Sequence, residues 1–409
     1  MIYKFITKLK IVILNIVWAL RSIFWIRDYK IVLFGSWFGE KFADNSRFLF
    51  QYLSAHKADL GLTHVVWVTK NLDLRDELRE LGYESYEFGS KESKFYHKKA
   101  KYHIICNSSC GQNTDIEILY SFGAVRVNLW HGVGVVKRFG KASLSVKRNQ
   151  NRHKLIYSTI SWLLQTRFWR CFFVYPGGWG DFYLLSPNEI SNKQFRESFG
   201  YIPQNRLIQS TYPRFHPNYA LLKKEKYVLK KIKQYNKIIL YMPTFRLGKQ
   251  SILFSDLGRS LKDTLKKENI LWIQKAHSAD NFIERETQEE NILSLSPNFE
   301  PNVLFPYISM LVTDYSSVAT DARYFNKPVL FYMPDYEDYK KGENGLTDEA
   351  EELLSGPHFF DVDSLRRQIV HFVFSPNLAK PQNYTEIRNK YCGKNVEISD
   401  VWEKISKIK

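Results

Sequence analysis

The chain has 409 residues, which is more than one hydrophobic core usually serves, so two domains of ordinary size are expected. Hydrophobic residues make up 44% of it, the level of a globular protein, and aromatic residues a high 16%. The formal net charge of +17 indicates anionic partners. Because no nucleic-acid-binding motif is visible, an anionic membrane surface or a phosphate-rich substrate is favoured over nucleic acid.

Residues 1–28 are predicted to form a basic amphipathic helix. Apolar residues recur at helical spacing from Ile2 to Phe24, with basic residues on the other side. The uncharged run between Lys10 and Arg21 has ten residues, whereas a helix that spans a bilayer needs roughly 20. The preferred interpretation is a helix lying in the membrane interface, and the alternative is a helix packed on the protein itself.

The cysteines give no sign of a metal centre. Cys106, Cys110, Cys171 and Cys392 lack the paired spacing of a zinc site. The N-terminal segment also has no small-residue cleavage site of the kind that follows a secretory signal. These features predict a reducing environment in the cytoplasm.

Residues 29–205 alternate between strand-like and helix-like segments, which predicts a parallel, doubly wound sheet. The apolar runs predict strands over 30–37, 64–69, 83–88, 102–106, 125–130, 172–175 and 182–185. The amphipathic segments predict helices over 45–54, 72–81 and 93–101. The glycines after the first strand, Gly35 and Gly39, are interpreted as parts of a plain strand-to-helix turn.

The segment Val127–Arg138 (VNLWHGVGVVKR) has the composition of a catalytic turn. A strand delivers Trp130 and His131, and the glycines that follow let a substrate approach the backbone closely. Histidine is the usual general base near neutral pH. The simpler alternative is a structural histidine, but the neighbouring tryptophan and glycines favour catalysis.

The segment Gly140–Arg170 interleaves basic residues with tryptophan, phenylalanine and aliphatic residues. This composition is typical of a surface that meets phospholipid or a lipid-linked acceptor. The alternative is a solvated basic face over an ordinary core helix.

Residues 206–395 repeat the strand-helix pattern and are predicted to form a second lobe. Strands are expected over 238–242, 271–275, 310–313 and 329–332, and helices over 260–268, 318–325, 364–374 and 385–391. A last helix is expected within 396–409. The passage between lobes is expected at the proline-rich stretch 201–217, where Arg214 directly follows Pro213 and can grip a diphosphate with two hydrogen bonds.

Three strands of this second half end in polar residues. The pairs are Thr244 and Arg246, Lys275 and His277, and Ser316 and Ser317. Since the carboxyl ends of parallel strands meet at one edge, these side chains are expected to converge on an anion. The two serines also stand where a helix begins, so backbone N–H groups can bind phosphate there, although the serines could simply cap that helix.

The motifs occur in a characteristic order: WHG at 130–132, YPR at 212–214, MPT at 242–244, KAH at 275–277, TDYSS at 313–317 with an aspartate at 321, and KPVLFY at 327–332. In this combination the chain resembles the CDP-glycerol glycerophosphotransferase family, whose enzymes prime or polymerise teichoic acids and related phosphate-linked capsules. The resemblance is strong from about residue 125 to 340 and looser from 30 to 107.

The resemblance implies a GT-B architecture, with two Rossmann-like lobes around an interlobe cleft. It also implies that the donor is CDP-glycerol or CDP-ribitol and that the acceptor is a lipid-linked or polysaccharide hydroxyl. The donor contacts carried over from the motifs are Trp130, Gly132, Val133, Gly134, Arg214, Pro243, Thr244, Lys275, Ala276, Ser316 and Ser317. This chain departs from the family at Val133-Gly134, where Thr-Pro is common, and at Ser278, where proline is common.

Three residues are expected to have catalytic roles in the mechanism that we hypothesise. His131 takes the proton from the acceptor hydroxyl, which attacks the β-phosphorus of the CDP-polyol while CMP leaves. His277 protonates or hydrogen-bonds a phosphate oxygen, and Asp321 orients a histidine or a donor hydroxyl. Because phosphoryl transfer needs mainly positioning and charge neutralisation, the cations can suffice, and neither a metal nor any cofactor besides the donor is expected.

Two other functions are compatible with parts of this pattern. One is a GT-B glycosyltransferase that uses a nucleotide sugar for cell-surface polysaccharide synthesis. The other is a basic membrane adaptor without catalytic activity, which the clustered strand-end residues disfavour. The preferred function places the enzyme on the cytoplasmic face of the cell membrane as a peripheral protein.

Overall fold

The computed structural model describes residues 13–107, 114–132, 136–139, 182–199, 202–217, 220–244, 253–275, 288–340, 346–393 and 396–408. They fall into two compact units. The first lies within Met1–His131, Gly140–Ala220 and Lys394–Lys409, and the second within Gly132–Phe139 and Leu221–Gly393. The predicted boundary after residue 205 therefore differs from the observed one after Ala220, and the segment 132–139 was not expected in the second unit.

The first unit contains a sheet whose strands are β1 (Asp28–Phe34), β2 (His64–Thr69), β3 (Glu84–Glu87), β4 (Ala100–Ile105), β5 (Val125–Asn128), β6 (Tyr183–Ser186) and β7 (Leu207–Gln209). All pairs are parallel, in the order β3-β2-β1-β4-β5-β6-β7. This is the doubly wound order, which places ligands at the carboxyl ends of the strands. Strand β7 pairs with β6 and so belongs to the sheet of the first unit.

The second unit contains a sheet whose strands are β8 (Lys237–Met242), β9 (Ile270–Lys275), β10 (Gln288–Glu289), β11 (Ile292–Leu295), β12 (Met310–Thr313), β13 (Val329–Tyr332) and β14 (His358–Phe359). Their order is β10-β11-β9-β8-β12-β13-β14, parallel except for the pair β10–β11. Strand β12 is buried along its whole length, as expected for a central parallel strand.

The helices follow in chain order. They are α1 (13–22), α2 (Asp44–Ala55), α3 (Leu72–Glu80), α4 (Lys91–Lys99), α5 (Glu189–Phe199), α6 (Lys223–Ile232), α7 (Leu253–Ser260), α8 (Lys262–Lys267), α9 (Val318–Tyr324), α10 (Tyr336–Lys340), α11 (Ala350–Leu353), α12 (Val362–Phe374), α13 (Tyr384–Cys392) and α14 (Ile398–Ser406). Side-chain caps fix several starts: Asn71 accepts from the N–H of Leu74, and Ser90 from that of Ser93.

The C-terminal helix α14 packs on the first unit. The ring of Trp402 lies 5.1 Å from that of Tyr102, and the Tyr102 hydroxyl donates to the carbonyl of Ser406 at 3.0 Å. Lys404 also donates to the carbonyl of Gln209 at 2.7 Å. The chain thus returns to the unit in which it began.

Helix α1 contacts the first unit through one face and exposes the other. Trp18 packs edge-on against Tyr120, with 4.7 Å between ring centroids, while Leu20 remains 58% exposed and Phe24, just after the helix, 85% exposed. The packing of Trp18 matches the alternative interpretation, and contact of the exposed face with a membrane stays a prediction. Residues 1–12 of the predicted helix lie outside the described residues. Within the described ranges, no helix is both long and apolar enough to cross a bilayer.

The α/β fold with parallel sheets is confirmed, whereas the two-lobe GT-B arrangement stays a prediction. Strands 64–69, 310–313 and 329–332 have the predicted bounds. Helices α5 and α6 were missed, and the predicted strand 172–175 and the basic segment 140–170 lie outside the described residues.

Candidate active site

In the first unit, four turns gather at the carboxyl edge of the sheet. Trp37 follows β1, Cys106 follows β4, His131 follows β5 and Arg214 follows β7. The strands β1, β4 and β5 are neighbours in the sheet. This edge is where open α/β folds bind their ligands.

His131 is held in one orientation by a backbone hydrogen bond. Its Nδ1 lies 2.8 Å from the carbonyl oxygen of Cys106. Since a carbonyl can only accept, Nδ1 carries the proton, and the neutral imidazole then has its lone pair on Nε2. The rings of Trp130 and Trp37 lie 4.4 Å and 5.3 Å from the half-buried imidazole and restrict its rotation. This is the tautomer that a general base acting through Nε2 requires.

Asn45 fixes the turn that precedes this histidine. Its side-chain amide donates to the carbonyls of Leu129 and Trp130, each at 2.9 Å, and is fully buried. Trp130 adopts a φ of 57°, which costs a residue with a side chain roughly 1–2 kcal/mol. The two hydrogen bonds from Asn45 offset that cost and hold the left-handed turn.

The indole of Trp130 is part of the core and is only 6% exposed. It packs edge-on against Phe195 and Phe199 of α5, with ring centroids 5.5 Å and 5.2 Å away. The backbone of Trp130 can therefore make the predicted contact with the donor more readily than the buried ring can.

Arg214 is buried and forms an ion pair within the first unit. Its Nη1 lies 2.8 Å from Oδ1 of Asp44, and its backbone N–H donates to Oδ1 of Asn45 at 3.2 Å. Asp44 also accepts from the indole N–H of Trp37 at 3.2 Å. A diphosphate bound by Arg214, as the sequence predicts, would therefore share the guanidinium with the carboxylate of Asp44.

Asp115 joins three turns at the same edge. Its carboxylate accepts from the N–H groups of Phe38 at 2.8 Å, Cys106 at 3.0 Å and Asn107 at 2.8 Å. Burial raises the pKa of this carboxyl to about 6. By fixing the peptide of Cys106, Asp115 also fixes the carbonyl that orients His131.

In the second unit, the turns after β8 and β12 are joined by Asp314. Its carboxylate accepts from the N–H of Thr244 at 2.8 Å and 3.0 Å, and the hydroxyl of Thr313 donates to the carbonyl of Met242 at 2.6 Å. Pro243, half-buried, lies between these anchors. The MPT and TDYSS motifs therefore form one connected piece of structure.

Ser316 and Ser317 both lie half-buried at the start of α9. Ser317 makes no side-chain capping bond, and Ser316, within the described ranges, accepts only a long bond of 3.4 Å from the N–H of Val318. A purely capping role would give a shorter contact. The geometry therefore leaves both hydroxyls available to a ligand.

Gly132 belongs to the second unit and approaches this turn closely. A Cβ at Gly132 would lie 3.1 Å from Oγ of Ser317, which is tighter than ordinary van der Waals contact. Glycine at the third position of the WHG motif thus allows the two segments to pack.

Lys275 and Asp321 are both buried. Lys275 is 3% exposed at the end of β9, and Asp321 is 5% exposed in the first turn of α9. The remaining predicted site residues, Val133, Gly134, Ala276 and His277, lie outside the described residues.

The sequence of the chain identifies its family. Residues 18–395 match the family described as CDP-Glycerol:Poly(glycerophosphate) glycerophosphotransferase. The chain belongs to this family. The resemblance predicted from the six motifs is therefore confirmed, and so is the enzyme class, a CDP-glycerol glycerophosphotransferase.

Characterised relatives of this glycerophosphotransferase occur in bacilli. The teichoic acid glycerol-phosphate primase of Bacillus subtilis (strain 168) is 30% identical over 68% of this chain and 64% of its own length. The teichoic acid poly(glycerol phosphate) polymerase of Bacillus spizizenii is 27% identical over 90% of this chain and 89% of its own length. The chain thus spans just under two thirds of the primase and most of the polymerase.

The fold also has a solved counterpart. The structure of the wall teichoic acid polymerase TagF matches 93% of this chain and 89% of its own length, with a TM-score of 0.64 and 18% identity. This similarity supports the α/β fold.

Several residues of this candidate site were not singled out from the sequence. Asp44, Asn45, Asp115 and Asp314 hold the turns through buried hydrogen bonds. The sequence did give a signal for Asp44 and Asn45, because both are polar residues at the start of a helix with an apolar face. The same pattern is typical of residues that only cap a helix. Within the described ranges, no group of three or more His, Cys, Asp or Glu residues could hold a metal ion, and the prediction that none is needed stays a prediction.

Proposed function

We propose that this enzyme transfers glycerol phosphate from CDP-glycerol to a hydroxyl at the end of a teichoic acid or related cell-surface polymer and releases CMP. The family match supports the reaction class. The observation that carries the assignment of roles is the fixed tautomer of His131, with Nδ1 bonded to the carbonyl of Cys106 at 2.8 Å.

In the proposed reaction, Nε2 of His131 accepts the proton of the acceptor hydroxyl. The oxygen forms a bond to the β-phosphorus as the bond from that phosphorus to the CMP oxygen breaks. The electron pair leaves with CMP, and the imidazolium later returns its proton to solvent. A positioned base of this kind contributes typically about 10²- to 10⁴-fold to the rate.

The phosphate groups are proposed to bind where cations and hydroxyls follow the strands. Ser316 and Ser317 offer half-buried hydroxyls, and Lys275 and Arg214 supply positive charge. In this proposal the backbone of Trp130 and Gly132–Gly134, together with Pro243, Thr244 and Ala276, completes the donor contacts.

His277 and Asp321 are proposed as supporting catalytic groups. His277 would donate to a phosphate oxygen as negative charge develops, and Asp321 would orient a histidine or a donor hydroxyl. The burial of Asp321 favours the orienting role, because a buried carboxylate is held by its partners rather than by water.

The acceptor is proposed to be lipid-linked, and the enzyme to act as a peripheral protein on the cytoplasmic face of the membrane, in the two-lobe GT-B arrangement. Exposed apolar residues of α1 and its C-terminal extension support contact with a membrane interface, among them Ile13 at 52% and Ile23 at 73% exposed.

A donor panel tests this function. Purified enzyme is incubated with an acceptor polymer and CDP-glycerol, CDP-ribitol or a UDP-hexose, and the released nucleotide and the product mass are measured. CMP release with addition of glycerol phosphate is expected. UDP release from the sugar nucleotide without CMP release would instead favour a glycosyltransferase, because transfer of a hexose leaves both phosphates on the nucleotide.

The role of His131 is tested by His131→Ala. Loss of kcat by about 10²- to 10⁴-fold is expected, with binding of CDP-glycerol little changed, because the base acts on the acceptor. His56→Ala is a matched control, since the Nδ1 of His56 also bonds a carbonyl, that of Tyr52 at 2.9 Å, but at the C-terminal end of helix α2. Turnover by the His131 variant at the rate of the control would contradict the assignment.

A further inference from the structure

A groove of about 460 Å³ opens on the first unit, beside the segment that leads from α1 into β1. Its lining comes from residues 24–26, which precede β1, and from helix α4, which precedes β4. It therefore lies at the amino ends of these strands, the opposite edge of the sheet from His131. No residue assigned to the transfer reaction lines it.

One part of the lining is apolar and open to solvent. Phe24 is 85% exposed, Ile26 80% and Phe95 53%. Single exposed apolar side chains are ordinary, but several that line one groove mark an interaction surface. These three side chains can enter an apolar phase without any change in their own packing.

The other part of the lining is basic. Lys91, Lys94, Lys98 and Lys99 all border the groove. Residues 91, 94, 95 and 98 recur at three- and four-residue spacing and so share one face of α4, while His97 on the opposite face is fully buried. Within the part of the chain that the structure describes, none of the four ammonium groups pairs with a carboxylate. Lys91, Lys94 and Lys98 share this spacing and Lys99 follows directly, so the four positive charges repel one another until an anion is bound.

The groove has a firm support. Trp25 stacks on Tyr120, with 5.9 Å between ring centroids, and the guanidinium of Arg27 donates to the carbonyls of Ala100 at 3.0 Å and Tyr120 at 2.7 Å. Burial lowers the pKa of Arg27 to about 10, which still leaves it charged at neutral pH. The segment that displays Phe24 and Ile26 is thus fastened to the body of the unit on both sides.

We propose that this groove binds the headgroups of anionic phospholipids, with the lysines on the phosphates and Phe24, Ile26 and Phe95 in the acyl boundary. A soluble anion would satisfy the lysines but leave the apolar side chains in water, and an apolar peptide would leave the lysines without counter-charge. A bilayer with anionic lipid meets both needs at once. The inference deepens the proposed membrane association by locating a site for it and rests on that part of the proposed function.

Vesicle binding of the full chain tests the proposal. Vesicles of phosphatidylcholine with phosphatidylglycerol are compared with vesicles of phosphatidylcholine alone, by sedimentation at low and high salt. Selective binding to the anionic vesicles is expected, weakened by salt. Each lysine changed to glutamine should lower partitioning by about five-fold, so the fourfold variant should lose on the order of several hundred-fold.

The matched control removes four exposed lysines elsewhere, Lys57, Lys226, Lys230 and Lys233, which changes the net charge equally. If the control lost as much binding as the groove variant, the effect would be one of total charge and the site would be refuted. Phe24→Ser with Ile26→Ser should also weaken binding at high salt, where the electrostatic part is screened. Unchanged binding of that variant would overturn the apolar part of the proposal.

A measurement of the transfer reaction distinguishes failure of this inference from failure of the proposed function. CMP release with a water-soluble acceptor should be the same in the groove variant and the wild type, because the groove lies at the opposite edge of the sheet. Loss of vesicle binding with unchanged CMP release supports the site. Equal binding to RNA and to anionic vesicles, with RNA displacing the vesicles, would instead indicate a nucleic-acid surface and overturn the lipid assignment.

Discussion

The turn that carries His131 and the turn that carries Ser316 and Ser317 both follow buried parallel strands, yet they are held in different ways. Buried side chains from other elements fix the histidine turn, chiefly the amide of Asn45 and the carboxylate of Asp115. In the serine turn, Asp314 anchors the backbone of the neighbouring MPT segment, and among the described residues the serine hydroxyls make at most one long bond.

This difference matches the two tasks that we assign to the turns. A general base must keep one tautomer and one orientation, so its surroundings are rigid and polar. Hydroxyls that receive a phosphate must keep their own bonding capacity for the ligand. Mutations around His131 should therefore lower both stability and turnover, whereas mutations in the serine turn should mainly lower affinity for the donor.

The largest effect beyond His131 itself is expected for Asn45→Ala. The change leaves the carbonyls of Leu129 and Trp130 without their buried donor, at about 1–3 kcal/mol each. We expect the free energy of unfolding to fall by about 2–4 kcal/mol and kcat to fall at least tenfold, because the turn before His131 relaxes. Urea unfolding and CMP release measure the two effects.

Asn291→Ala is the matched control for that variant. Asn291 is also buried and its amide donates to two carbonyls, those of Leu265 at 3.3 Å and Ile270 at 2.9 Å, but it supports β9 rather than a proposed catalytic turn. A comparable loss of stability with kcat near wild type is expected. Equal loss of kcat in both variants would show that Asn45 acts only through general stability.

The strands and helices could be predicted from the sequence more completely than the buried hydrogen bonds that hold the turns. Strand β12 consists of apolar or β-branched residues between turn signals, so its bounds follow from local pattern alone. Helix α6 was missed because Lys223–Ile232 is rich in lysine and sits beside the expected linker. The exact partners of Asp115 could not be predicted, since they are backbone N–H groups of residues 38, 106 and 107, which only the tertiary fold brings together.

The same holds for the site. His131 and the two serines could be found because their residue types stand in motifs of fixed order. The pairing of Arg214 with Asp44 could not be predicted, because the two residues are 170 positions apart. The sequence instead indicated that Arg214 binds a diphosphate. The glycine at 132 was read as room for substrate, and the structure adds a second reason, the close approach of Ser317.

The buried groups of the first unit also make its stability depend on pH. Burial lowers the pKa of His97 to about 3 and that of His103 well below its usual value. His97 must be neutral, because Nδ1 donates to the carbonyl of Ser93 at 2.7 Å and Nε2 accepts from the N–H of Glu117 at 3.0 Å. Below about pH 6.5 the unfolded chain binds more protons than the folded one at both histidines, so stability falls as pH falls.

Asp115 opposes this trend. Its folded pKa of about 6 exceeds the unfolded value, so its contribution to stability rises as pH falls from about 6 to 4. The loss of stability from the two histidines exceeds the gain from the one carboxyl. The free energy of unfolding is therefore expected to fall by about 2–3 kcal/mol from pH 7 to pH 5. Urea unfolding at the two pH values measures it. Asp115→Asn should steepen the loss, and a wild type more stable at pH 5 than at pH 7 would contradict the assignment of neutral buried histidines.

The smallest effect is expected for Gly132→Ala, which tests the contact between the two motifs directly. The new Cβ would lie 3.1 Å from Oγ of Ser317, so the hydroxyl must shift by a few tenths of an ångström. Because Ser317 makes no capping bond that resists such a shift, stability should change by less than about 0.5 kcal/mol while KM for CDP-glycerol rises several-fold. Ser317→Ala removes the crowded oxygen, so adding Gly132→Ala to that variant should raise KM little further. If the two changes instead raised KM by the product of their separate effects, Gly132 would act independently of Ser317. That result would contradict the view that the serine turn adapts to its neighbours while the histidine turn is rigid.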